Sequence, residues 1–173
     1  PAVDADWGEP GLTPAERVIA WNTLEVLAMV TGNPQHPVNA IPPSARATMH
    51  MRFVVGTDVS RLREVVAAHL AAHGFADVQV GEPMVMHATR LDPDNAWVRF
   101  TLASLQRSTG KTPVLLPNLG GSLPNDVFAE LLGLPTVWVP HSYAACSQHA
   151  PDEHLLAPVA REALELMAGL FWD

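Results

Sequence analysis

Between residues 46 and 55 the chain alternates polar and apolar positions. Ala47, Met49, Met51 and Phe53 share one face, and Thr48, His50 and Arg52 share the other. A period of two is the signature of a half-buried strand. The stretch WNTLEVLAMV, residues 21–30, predicts a second strand, although its Leu, Ala and Glu also tolerate a helix. The four prolines of TGNPQHPVNAIPPSA forbid a long helix between the two, so a loop with extended pieces joins them. Leu62, Val65, Val66, His69 and Leu70 then recur at helical spacing, with Asp58 or Ser60 as the cap and Gly74 as the stop. A short strand follows at residues 76–80. Strand, strand, helix, strand in this order predicts half of an antiparallel sheet with helices on one face.

After Gly81–Pro83 the pattern changes. Helices are predicted at residues 95–108, 125–132 and 158–171, alternating with continuous apolar runs at 113–116 and 135–140. Such runs between helices are the mark of buried strands in an α/β layer. The chain therefore divides into a lead-in at residues 1–20, rich in Pro, Gly and acids, a first unit at 21–83 and a second at 84–173. The fold class is α/β, with an α+β portion preceding part of an α/β sheet.

Composition narrows what such a chain does. Apolar residues make up 48% of the 173 and charged residues 16%, which suits a core-forming protein rather than a disordered one. The net charge of -8, with Lys111 the only lysine, gives no basic stripe for nucleic acid. Pro, Gly or a charge interrupts every apolar run well short of a membrane span. The single cysteine, Cys146, excludes an internal disulfide and suits a reducing cytoplasm, the expected location.

Three stretches carry candidate chemistry. NLGGSLPNDV, residues 118–127, lacks the glycine spacing and Lys-Ser/Thr pair of a phosphate loop, the spacing of a dinucleotide fingerprint, and the second glycine of a nucleophile elbow. It remains either a plain strand-to-helix connection or a turn whose amides and Ser122 hydroxyl face an anion. HSYAACSQHAPDEH, residues 141–154, holds three histidines, a cysteine and two acids at no zinc-finger spacing. It is either a polar surface loop or the seat of one metal ligand at His149, and Cys146 is a passive small residue. Arg52 can grip a carboxylate by two parallel hydrogen bonds, with Asn39 as an added amide donor. A solvent-facing structural role is the alternative for each.

Taken in order, Asn-Ala-Ile-Pro, Met-Arg-Phe, Gly-Gly-Ser-Leu-Pro, Leu-Gly-Leu-Pro and His-Ala-Pro-Asp-Glu resemble one family over residues 20–172. It is the zinc metallopeptidase and deacylase family of carnosine dipeptidase, aminoacylase, acetylornithine deacetylase and succinyl-diaminopimelate desuccinylase, and the dipeptidase-like branch is the most similar. The resemblance implies an α/β catalytic domain with two zinc ions and a smaller lid domain that dimerises. It implies hydrolysis of a peptide or N-acyl amide bond in a small substrate. It makes His149 the last metal ligand, Gly120, Gly121 and Ser122 part of the carboxylate-binding turn, and Arg52 and Asn39 substrate-binding residues of the lid. The family's His-x-Asp segment, bridging aspartate and Glu-Glu pair have no counterpart in this sequence. The chain is thus expected to be the C-terminal portion of such an enzyme: part of the lid at 21–83 and the end of the catalytic domain at 84–173. On that expectation it holds zinc weakly and is inactive alone. The alternative is a non-catalytic dimerisation module derived from the same family.

Overall fold

The computed structural model describes residues 7–173. It is an α/β fold of helices with one two-stranded antiparallel sheet. The chain forms two units. The first comprises residues 7–88 together with Asn118–Leu123, and the second comprises Thr89–Pro117 and Pro124–Asp173.

The first unit opens on a helix not expected in the lead-in, α1 (Pro14–Ile19). Thr13 caps it: its hydroxyl accepts from the Glu16 N–H, while its own N–H donates to the Glu16 carboxylate at 2.8 Å. Thr-Pro-Ala-Glu, with proline in the first turn, is a capping box whose signals are all local in the sequence. Strands β1 (Thr23–Thr31) and β2 (Ala45–Arg52) follow and pair antiparallel. Asn22 ties the entrance of one to the exit of the other, since its Oδ1 accepts from the Val54 N–H at 2.9 Å and the Thr57 hydroxyl at 3.3 Å.

The pairing sorts the side chains. Leu24, Val26 and Met29 share a face with Met51, Met49 and Ala47, while Thr23 and Glu25 lie opposite Arg52 and His50 on the other. Leu27 has no partner in the register, and this bulge lets Met29 fall on the face of Val26 three residues earlier. The expectation of a half-buried strand holds for part of β2 alone. Ala45 to Met49 are exposed and only His50 to Arg52 are half-covered.

Helix α2 (Leu62–Ala72) starts without a side-chain cap. Asp58 and Ser60, expected to supply one, bond each other just upstream: the Ser60 N–H and hydroxyl both donate to Asp58 Oδ1. The stop is as expected, with Gly74 at φ 87° and the Phe75 N–H returning to the Leu70 carbonyl. Residues 76–80 take no place in a ladder, so the expected third strand is an unpaired segment. Arg63 anchors its end by donating to the Val80 carbonyl and pairing with Glu82.

The second unit is built on α3 (Ala96–Thr109) packed against α4 (Ala157–Trp172). Asn95 caps α3 by accepting from the Trp97 N–H, and Gly110 ends it in the left-handed region. Val98, Thr101 and Ser104 recur every three residues and are buried. Two ion pairs tie residues at the helix ends, Arg107 to Asp173 at 2.6 Å and Lys111, just past α3, to Glu162 of α4 at 2.7 Å; the second is exposed and contributes little by itself. The helix expected at 125–132 contains a wide turn over Val127–Leu131 with π-type bonding. Residues 113–116 and 135–140, expected as buried strands, pair with nothing among the described residues. Val114 is 83% exposed. A strand needs a neighbour for its N–H and C=O groups, and apolar content alone supplies none.

Candidate functional site

Arg52 ends β2 on the polar face of the ribbon. Its Nη1 donates to the Gly120 carbonyl at 3.2 Å, across 68 positions of sequence. Two of the residues singled out in the sequence therefore meet within the first unit. The guanidinium has a second neighbour, because Arg52 Nε lies 3.7 Å from Glu25 Oε2. His50 Nδ1 stands 3.9 Å from the same oxygen, while the Thr23 hydroxyl donates to Glu25 Oε1 at 3.0 Å. Thr23, Glu25, His50 and Arg52 are neighbours because the register sets 23 against 52 and 25 against 50. The long loop and the bulge hide this pairing, and with it Glu25, from a reading of the sequence.

The rest of the turn is open. Gly121 donates its N–H to the Leu119 carbonyl at 3.0 Å, and a side chain in place of its hydrogen would meet nothing within 4 Å. Neither Gly120 nor Gly121 has the positive φ that demands glycine. A Cβ on Gly120 would meet Arg52 Nη1 at 3.9 Å, an ordinary contact, so space does not demand glycine at either position. Ser122 is exposed, and its hydroxyl takes no partner among the described residues. Asn39 is exposed in the Pro-rich loop, at the centre of a tight turn closed by the Ala40 N–H on the Val38 carbonyl. Its amide also lacks a partner there.

His149 lies in the second unit, in a loop shaped by backbone rather than by regular structure. Ser147, His149 and Asp152 all adopt positive φ, near 60°, which is unusual for residues with a Cβ. The His149 N–H donates to Glu153 Oε2 at 3.2 Å, and the exposed imidazole has no partner among the described residues. Cys146 is buried, and its carbonyl accepts from the His154 N–H at 3.0 Å. His154 Nδ1 sits 2.7 Å from the Asp152 carbonyl. A carbonyl only accepts, so Nδ1 carries the proton and Nε2 is the acceptor in the neutral ring. Ser142, Cys146, Gln148, Glu153 and His154 line a shallow hollow there.

These residues do not by themselves fit a metal ion. Zinc sites take three or four protein ligands. Among the described residues no group of three or more His, Cys, Asp or Glu side chains converges. His149 offers one imidazole.

No protein-family model matches the chain, and no curated protein matches it. Its fold is similar to that of a solved structure, an M20 family metallo-carboxypeptidase, Sso-CP2, from Sulfolobus solfataricus. The TM-score is 0.73 and the sequence identity 21%, over 95% of this chain and 39% of that one. The chain thus spans well under half the length of the structure it matches. At this identity the likeness is one of fold.

Proposed function

We propose that the chain is part of a zinc-dependent peptidase or amidohydrolase of the M20 type. In it, residues 21–83 serve as part of a lid and 84–173 as the end of the catalytic domain. Its contribution is recognition of the carboxylate of a small peptide or N-acyl amino acid by Arg52, the Gly120–Gly121–Ser122 turn and Asn39. His149 is its one proposed metal ligand, and the chain alone neither binds zinc tightly nor turns over substrate.

The observation that carries this reading is the hydrogen bond from Arg52 to Gly120. It sets a permanently charged fork beside a turn with open space over Gly121. A planar guanidinium binds a carboxylate through two parallel N–H donors, which a lysine does not reproduce. The fold likeness to a metallo-carboxypeptidase supports the hydrolase assignment. The unpaired apolar segment at 113–116 supports a sheet completed by further strands.

Binding of hippurate, compared with its uncharged amide, tests carboxylate recognition. The acid is expected to bind more tightly, with the difference shrinking in salt and vanishing in Arg52→Ala. Equal binding of acid and amide would overturn it. Release of product from a dipeptide by the purified chain with zinc supplied would overturn the expectation of silence.

A second reading, a homodimerising association module, is favoured by one feature. Leu24, Val26, Met29 and Met49 form an apolar ribbon face, with Val26 60% and Met29 70% exposed. Such a face together with a free strand edge invites another chain.

A further inference from the structure

The geometry points to Glu25 as a positioning residue for Arg52: it holds the guanidinium so that the outer N–H groups face the Gly-Gly-Ser turn. This rests on the carboxylate-recognition reading and adds a residue to it.

Glu25 is itself held. Thr23, two residues earlier on the same face, donates its hydroxyl to Oε1 at 3.0 Å, which leaves Oε2 toward the opposite strand. There Oε2 stands 3.7 Å from Arg52 Nε. At the other end, Nη1 donates to the Gly120 carbonyl at 3.2 Å. The guanidinium is thus hydrogen-bonded at Nη1 and flanked at Nε by an opposite charge at ion-pair distance, from separate parts of the unit. Both N–H groups of Nη2 and the second of Nη1 have no partner among the described residues. A planar fork fixed in this way loses less freedom when a carboxylate docks on it.

Burial separates this role from a structural one. The side chains of Glu25 and Arg52 are 46% and 41% exposed, so water screens the pair. Exposed pairs of this kind add little to stability. Removing the Glu25 charge should therefore leave the fold intact and be felt at Arg52. His50 Nδ1, 3.9 Å from the same Oε2, is the other side chain that approaches the carboxylate.

The test uses the whole chain labelled with nitrogen-15, following the Arg52 Nε–H resonance while hippurate is added. Glu25→Gln keeps the shape and removes the charge; Thr23→Val frees the carboxylate without removing it. In the unsubstituted chain, hippurate should shift the Arg52 signal. In E25Q the Arg52 Nε–H resonance should move and hippurate should bind about three- to fivefold more weakly, the scale of one exposed ion pair. The melting temperature should be nearly unchanged, and T23V should move both quantities the same way by less. Equal or tighter hippurate binding in E25Q than in the unsubstituted chain would overturn the positioning role alone. No shift at Arg52 in the unsubstituted chain would overturn carboxylate recognition, and the positioning role with it.

Discussion

Gly169 of α4 faces Ser108 of α3 so closely that a methyl group in place of its hydrogen would collide with the Ser108 hydroxyl. Ser104 lies on the same side, so small side chains on both helices let them approach. Glycine inside a helix costs about 1 kcal/mol against alanine, and this contact offsets that cost. In a Ser108→Ala background, Gly169→Ala should therefore raise stability by about 1 kcal/mol. With Ser108 present the gain should be reduced or lost. Denaturant melts of the four chains measure the coupling, and additive effects would show that the contact does not limit the packing.

Asn22 closes the open end of the ribbon through one acceptor oxygen shared by Val54 and Thr57. Asn22→Ala leaves a half-buried N–H without its partner, at a cost of about 1 to 2 kcal/mol. Asn22→Asp keeps an acceptor in place and should cost less. Urea titration of both variants ranks them; equal losses would mean that the amide acts by shape rather than by acceptance.

The Thr13 hydroxyl and N–H both donate to Glu16 Oε2 and hold its carboxyl below the usual carboxylate range. A carboxyl depressed on folding stabilises the folded state above its unfolded pKa. That contribution is lost as pH falls through the lower, folded value, so α1 should fray in acid. Thr13→Val removes the hydroxyl, and the Glu16 midpoint, followed by carboxyl carbon resonance, should rise. An unmoved midpoint would show that the hydroxyl contributes nothing.

If the apolar ribbon face pairs two copies, sedimentation should show a mass that doubles with concentration. Met49→Lys, which puts a charge in the middle of that face, should hold the chain monomeric. A monomer at every concentration in the unsubstituted chain would end the homodimer proposal.

Local signals in the sequence carried much of the fold. The helix over Ala96–Thr109 was legible because Asn95 and Gly110 mark its ends and its apolar period is regular. The two β1–β2 strands were legible from their patterning. What failed was whatever depends on a distant neighbour. Residues 113–116 and 135–140 have the composition of strands, yet pairing is a property of two segments, and they pair with none among the described residues. The site divides along the same line. Arg52 and Gly120 were each singled out, while Glu25 became visible only once the register set it opposite His50. The helical start at Thr13 is different, since all of its signals are local.

The bulge at Leu27 also governs how β1 tolerates change in length. Its two halves run in opposite phase, with Leu24 and Val26 on the face that Met29 continues. Removing Leu27 would join the halves as one regular alternation and keep every other side chain on its present face. Loss of Glu25 with the bulge kept would instead turn one half over, exchanging the charged side of the ribbon for the apolar one. A single position in β1 is thus free to be gained or lost in descent, while its neighbours are locked to the count.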